Sequence, residues 1–304
     1  MSLAEPTTRA SARGRTPAQA PLTPTGVQGI FGQQRDFSAV LEATAAAMER
    51  AFAASETLRF PPLMARADLN RIGYFRNFPQ LLGSVHCFCG DELAHHKLAE
   101  RDDAEWTALD APTDLVLTPA ACYPLYPILA ARGPVPREGY RVQVRSHCFR
   151  REPSVERTRM QSFQMQELVC AGTKAQASAF QAEWMERGAE FFAALDLPAS
   201  LVEANDPFFG RAAPVMRKGQ RASNLKYELV VPINPGAPPT ACMSFNYHVD
   251  HFGNCLSLTT EDGACAHTAC TGIGLERTTL ALFHHHGETI ADWPTPVRAF
   301  LRLA

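Results

Sequence analysis

The chain has 304 residues, 46% of them hydrophobic and 20% charged, with a formal net charge of −2, enough apolar mass for one globular domain or at most two. No apolar run reaches the roughly 20 residues of a membrane span, and no signal-peptide core is visible, so a cytoplasmic protein without membrane contact is expected. The near-neutral charge excludes global steering onto nucleic acid, and nine cysteines, an odd number, fit reduced thiols with some metal ligation better than a disulfide framework.

Residues 1–35 show no apolar period and read as a disordered leader, leaving 36–304 as the folded domain. Phe37–Phe52 is Ala-rich with helical apolar spacing, and an extended, Pro-containing stretch follows at 58–64. Residues 140–149 and 160–169 suit two antiparallel strands joined by an Arg/Glu/Pro-rich loop. A helix is predicted over 175–194, with Phe180, Trp184, Phe191 and Phe192 on its apolar face. The stretch from Arg211 to Lys226 also reads as helical and holds five basic residues and no acidic one, which suits a solvated face or a local anion-binding patch. Segments 227–233, 241–247 and 254–259 suit successive antiparallel strands. A last helix over 275–283 follows a Gly272–Gly274 turn and ends in His284, His285 and His286, which favour a helix C-terminus.

The long hairpin carries the chemistry. Side chains alternate along a strand, so Arg159, Phe163 and Glu167 are expected on one side, with Arg159 and Glu167 roughly 26 Å apart if fully extended. An aromatic ring midway could stack a nucleobase, with arginines at the loop meeting phosphates through bidentate guanidinium contacts.

Phe149-Arg150-Arg151-Glu152, the loop, and Arg159-x-x-x-Phe163 resemble motif 2 of class II aminoacyl-tRNA synthetases. Gly272-Ile-Gly274-Leu-Glu276-Arg277 resembles their motif 3, and Pro61-Pro-Leu-Met64 after a helix is a weaker match to motif 1. Over residues 40–290 the chain is most similar to the seryl-type catalytic core and its truncated relatives, the amino acid:[carrier protein] ligases. The resemblance implies an α+β fold, a six- to eight-stranded antiparallel sheet flanked by helices, dimeric through motif 1.

The same resemblance implies roles. Arg150 would bind the α-phosphate and the substrate carboxylate, Glu152 the adenine amino group and Arg159 the γ-phosphate, with Met160 also at the ATP site. Phe163 would stack under adenine, Arg277 would cover its other face, and Lys226 would add an ATP contact; Arg150 and Arg277 are the catalytic pair, with Mg²⁺ accompanying ATP. Cys122, Glu167 and Cys270 would hold one zinc ion per subunit, leaving a fourth position for the substrate's neutral α-amine. Taken alone each cysteine would more often be a packed core thiol. Two rival donor sets, Cys87 and Cys89 with His95 and His96, and Cys255, Cys265 and His267, lack the spacing of a structural zinc site.

Thr240–Asn246 aligns with the strand lining the amino acid pocket, where Ala241, Cys242, Met243 and Ser244 would contact substrate. Cys242 and Met243 would make the pocket less polar and narrower, favouring glycine, then alanine. The long tRNA-gripping arm of seryl enzymes has no counterpart before motif 1, so charging of tRNA is not expected. In the carrier-protein ligases an extra helix falls at residues 207–223, and here Arg211, Arg217, Lys218 and Arg221 would dock an acidic carrier protein and its phosphopantetheine phosphate. The expected reaction makes an aminoacyl adenylate and passes the acyl group to the carrier thiol. The alternatives are a minimal aminoacyl-tRNA synthetase and a non-catalytic regulator on the same fold.

Overall fold

The computed structural model describes residues 22–52, 54–101, 105–211 and 213–303, and the side chains of Arg221 and Ala222 lie outside what it describes. Strands β1 (Leu22–Pro24) and β2 (Phe31–Gln33) form a hairpin leading into helix α1 (Arg35–Ala51). Next come β3 (Glu56–Arg59), β4 (Leu63–Ala65), α2 (Arg66–Arg71), α3 (Tyr74–Asn77), β5 (Ser84–Phe88), α4 (Glu92–Ala99), β6 (Asp110–Leu117) and α5 (Leu125–Ala131). The long hairpin is β7 (Tyr140–Phe149) and β8 (Ser162–Gly172). Helix α6 (Lys174–Ala194), β9 (Ser200–Glu203), α7 (Ala213–Ala222), β10 (Lys226–Val231), β11 (Thr240–Val249), α8 (His251–Leu256), β12 (His267–Gly274), α9 (Leu275–His286) and α10 (Thr295–Leu301) complete the chain.

Among the described residues, seven strands form the main sheet in the order β3-β7-β8-β12-β11-β10-β9, antiparallel except for the β3–β7 pair. A smaller sheet, β4-β6-β5, lies beside it. One face of the main sheet is covered by helices. Phe37, Val40, Leu41 and Met48 recur at helical spacing on α1 and are buried, and α6, capped at Thr173 by a reciprocal bond pair with Gln176, buries Phe180, Trp184 and Phe192. Met243 and Phe245 of β11 face this helical layer. Gly188 of α6 lets them approach, since a Cβ there would lie 2.6 Å from the Phe245 ring. The other face carries a second apolar cluster, including Val142, Val144, Val169, Tyr126 and Phe252, and the cavity described below opens on it.

Three sequence expectations are corrected. The leader is shorter at its C-terminal end, because residues 22–33 are the β1–β2 hairpin; residues 1–21 lie outside the described residues. Residues 254–259 do not form a strand: Phe252 and Leu256, one turn apart, are both buried by α8, and Ser257 ends the helix with φ +59°. Gly272–Gly274 is the end of β12 and not a turn. That strand, built of small residues without apolar alternation, lies centrally between β8 and β11.

Candidate active site

Pairing across the sheet sets the floor. Glu167 of β8 lies opposite Gly272 of β12, Gly272 opposite Ser244 of β11, and Ser244 opposite Glu228 of β10. Two residues along, the row runs Val169, Cys270, Asn246 and Lys226. Because a strand repeats its facing every second residue, these rows share one face. Glu167, Cys270, Ser244, Asn246, Lys226 and Glu228 all line a cavity of about 450 Å³. Gly272 keeps the floor open: a Cβ there would sit 3.0 Å from Glu167 Cγ and from Met165 Cε.

Cys122, in the loop between β6 and α5, meets this floor from above. Its Sγ, a Glu167 carboxylate oxygen and Cys270 Sγ all lie within 4.8 Å of one another, and all three residues are buried. Among the described residues this is where three such ligands converge in a set that could hold a metal ion. Glu167 Oε1 accepts from the Ala121 amide at 2.8 Å, which fixes the carboxylate. Cys270 Sγ accepts from Asn246 Nδ2 at 3.4 Å and lies 3.6 Å from His248 Nε2. The electrostatics follow from crowding acids in a dry place. Burial, reinforced by the charge of Cys270, pushes Glu167 up to about 8; burial pushes the Cys122 thiol up as well. Cys270 is held low by its bond from Cys122, against burial, with the His248 contact helping. Cys270 is thus the group readiest to be an anion, while Cys122 and Glu167 need a neighbouring cation to favour their charged forms.

The rival sets do not assemble. Cys87 and Cys89 are exposed, His267 is engaged by the Tyr247 hydroxyl at 2.6 Å, and Cys265 Sγ contacts Asn254 Oδ1 at 3.4 Å.

The motif residues surround the hairpin loop. The Arg150 guanidinium lies over the Phe163 ring, 5.5 Å from its centroid, and its Nε donates to Pro119 O at 3.0 Å. Arg277 donates from Nε to Thr158 O at 2.8 Å and from Nη1 to Ala241 O at 3.1 Å. Arg159 Nη1 is 3.7 Å from Glu152. Phe163 and Glu167 share a face of β8, but Arg159 precedes that strand and lies in a turn, so the extended spacing does not reach it. The Met160 side chain is buried in the core cluster that holds Leu22.

Two expected pocket residues are elsewhere. Cys242 and Met243 are buried in the helix-side core and do not line the cavity, so they cannot narrow it; burial pushes the Cys242 thiol up to about 12. Ala241 meets the site through its carbonyl, and Ser244 faces the cavity as expected. Lys226 lines the cavity too, but its ammonium is engaged by Asp206 Oδ1 at 2.6 Å and Glu228 Oε1 at 3.3 Å. Asn246, His248 and Asp206 went unrecognised in the sequence. Continuing the alternation from Ser244 would have found the first two.

Helix α7 forms one wall. Met216, Gly219 and Gln220 face the cavity, while Lys218 is exposed, as is Arg211 just before the helix. Arg217 donates to Phe208 O at 3.2 Å. Gln220 anchors the helix by exchanging two bonds of 2.8 Å with Asp206.

No family model matches the chain. It is 46% identical over 282 residues to amino acid–[acyl-carrier-protein] ligase 2 of Bradyrhizobium diazoefficiens, covering 92% of this chain and 84% of that protein. Ligase 1 of the same organism is 43% identical over 281 residues, covering 91% and 86%. Among solved structures, the SerRS of M. kandleri in complex with A. aeolicus tRNASec superposes with a TM-score of 0.79 at 20% identity, over 96% of this chain and 62% of that one. The seryl-tRNA synthetase of Pyrococcus horikoshii complexed with ATP gives 0.65 at 14% identity, over 90% and 57%. The chain thus spans about three fifths of the length of these synthetases, and at such identities they show the fold alone, that of class II seryl-tRNA synthetases. Identity above 40% across nine tenths of the chain shows more than a fold: the chain is an enzyme that belongs to the amino acid–[acyl-carrier-protein] ligase family.

Proposed function

We propose that the chain activates a small amino acid, glycine first and alanine second, with ATP and transfers it to the phosphopantetheine thiol of a carrier protein. One observation carries the reading: a single cavity is bounded by the Cys122–Glu167–Cys270 cluster and Arg150 on one side and by the basic helix α7 on another. Two thiols and a carboxylate suit a borderline-soft divalent ion. Zinc bound there would supply a Lewis acid for a neutral α-amine.

The chain's own residues do the positioning. Arg150, fixed to Pro119 O and stacked on Phe163, meets the substrate carboxylate and the α-phosphate. A carboxylate oxygen attacks the α-phosphorus and pyrophosphate leaves with Mg²⁺, its γ-phosphate held by Arg159 and Arg277. The carrier thiol then attacks the acyl carbon; AMP departs and the thiol proton passes to solvent. Glu152 selects the adenine amino group. The small-substrate preference draws on Asn246, whose two Nδ2 hydrogens are committed to Ser244 Oγ at 3.2 Å and Cys270 Sγ at 3.4 Å, so that amide donates nothing to a substrate hydroxyl.

Arg211, Arg217, Lys218 and Arg221 dock the carrier. A homodimer forms through the β4–β6–β5 region, where Phe88, Leu93, Trp106 and Leu115 expose apolar surface. No described helix is long and apolar enough to cross a membrane, and a cytoplasmic site of action is proposed with the rest. The experiment is exchange of labelled pyrophosphate into ATP in zinc-replete protein. Exchange that requires glycine or alanine supports the reading, and no exchange with any small amino acid overturns it.

A further inference from the structure

The hairpin β1–β2 looks like a dispensable leader in the sequence, yet it touches the nucleotide site at three points. The Gln161 amide donates to Gly29 O at 2.8 Å, and Gln161 Nε2 donates to Gln28 O at 2.8 Å. The carbonyl of the same Gln161 accepts from the Arg150 amide at 2.9 Å. At the other end of the hairpin, Gln33 Nε2 donates to Glu276 Oε1 at 3.2 Å, and the second Glu276 oxygen accepts from the Gln164 amide at 2.7 Å. Glu276 precedes Arg277, whose Nε is bound to Thr158 O in the motif loop.

Contact at Gly29 is close. With φ at +74°, a Cβ there would be 3.1 Å from Gln161 Cγ, 3.2 Å from Gln161 N and 3.4 Å from Arg159 O, so glycine meets both the backbone conformation and the approach. Phe31 packs on the core, and Leu22 is buried with Met160 in the same cluster. The hairpin thus clamps the segment Arg159–Gln161 from outside and bridges it to the start of α9.

We infer that the Leu22–Gln33 hairpin is a positioning element of the nucleotide site, holding Arg150, Arg159 and Arg277 in mutual register through Gln161 and Glu276. This rests on the proposed ATP reading. None of the hairpin residues needs to touch ATP; they fix the backbone from which the arginines project, and a phosphate clamp loses rate steeply when its groups are misplaced.

The test uses full-length Gly29→Ala and Gln161→Met, assayed by pyrophosphate exchange with separate ATP and glycine titrations. Each variant should raise the KM for ATP about fivefold or more, the loss expected when a hydrogen bond of ordinary strength no longer holds the clamp, while the KM for glycine stays unchanged. A purely structural role would lower kcat through a smaller active fraction and leave both KM values as they were, and that result overturns the inference. Should Gly29→Ala fail to fold, Gln161→Met decides, since it keeps volume and backbone and removes only the bond to Gln28. Absence of exchange in the unsubstituted protein would instead sink the ATP reading itself.

Discussion

Replacing Lys226 by Met tests how the cavity wall is held. The ammonium stands 2.6 Å from Asp206 and 3.3 Å from Glu228, with 12% of its side chain exposed. Burial pulls Asp206 upward, yet the charge and bond from Lys226, with the bond from Gln220, outweigh it and hold the carboxyl below its ordinary value. Methionine preserves the length of the side chain and removes the cation in contact with both carboxylates, leaving Arg150 as a more distant positive charge in the same cavity. Breaking a buried pair this way costs about 3 kcal/mol, at the lower end of the usual range because a third of Asp206 faces the cavity. The sign with pH follows. In the unsubstituted protein the pair's contribution is lost as pH falls through the lowered Asp206 value; in the variant burial acts on Asp206 without Lys226 to oppose it, and protonation of that carboxyl relieves part of the loss. Urea denaturation at fixed protein concentration should therefore show the full loss at pH 8 and a smaller one at pH 5. Adding Asp206→Asn should restore part of the loss at pH 8. A loss under about 1 kcal/mol, or one equal at both pH values, would refute the reasoning.

Cys122→Ala and Cys270→Ala should each abolish zinc retention measured by elemental analysis, and glycine-dependent exchange with it; a variant that keeps full zinc removes that residue from the site. Reversing charge at Arg211 and Lys218, both exposed, should spare exchange and weaken transfer to the carrier by tenfold or so at low salt, an effect that shrinks as salt screens the contact. Parallel loss of exchange would assign these residues to folding.

Much of the site was legible because its groups sit in strands whose alternation can be counted. Once the β7–β8 hairpin is seen, Phe163 and Glu167 must share a face, and the motif arginines cluster at its loop. Cys122 and Cys270 were reached only through resemblance, since no local spacing links a loop cysteine to one in a strand of small residues. The Cys242 and Met243 assignment failed at the same alternation: Met243 is out of phase with Ser244, and Cys242 is the extra, unpaired residue of β11 where Leu229 pairs with Met243 and Val230 with Ala241. The hairpin at 22–33 was illegible for another reason. Its order comes from Gln161 and Glu276, partners far along the chain, and not from any apolar period of its own.

Transfer of labelled glycine tests the central claim most directly. Incubated with ATP, Mg²⁺ and zinc-replete protein, a phosphopantetheinylated carrier should acquire the label as a thioester released by hydroxylamine, while tRNA under the same conditions remains unlabelled. Robust labelling of tRNA with none on the carrier would contradict it.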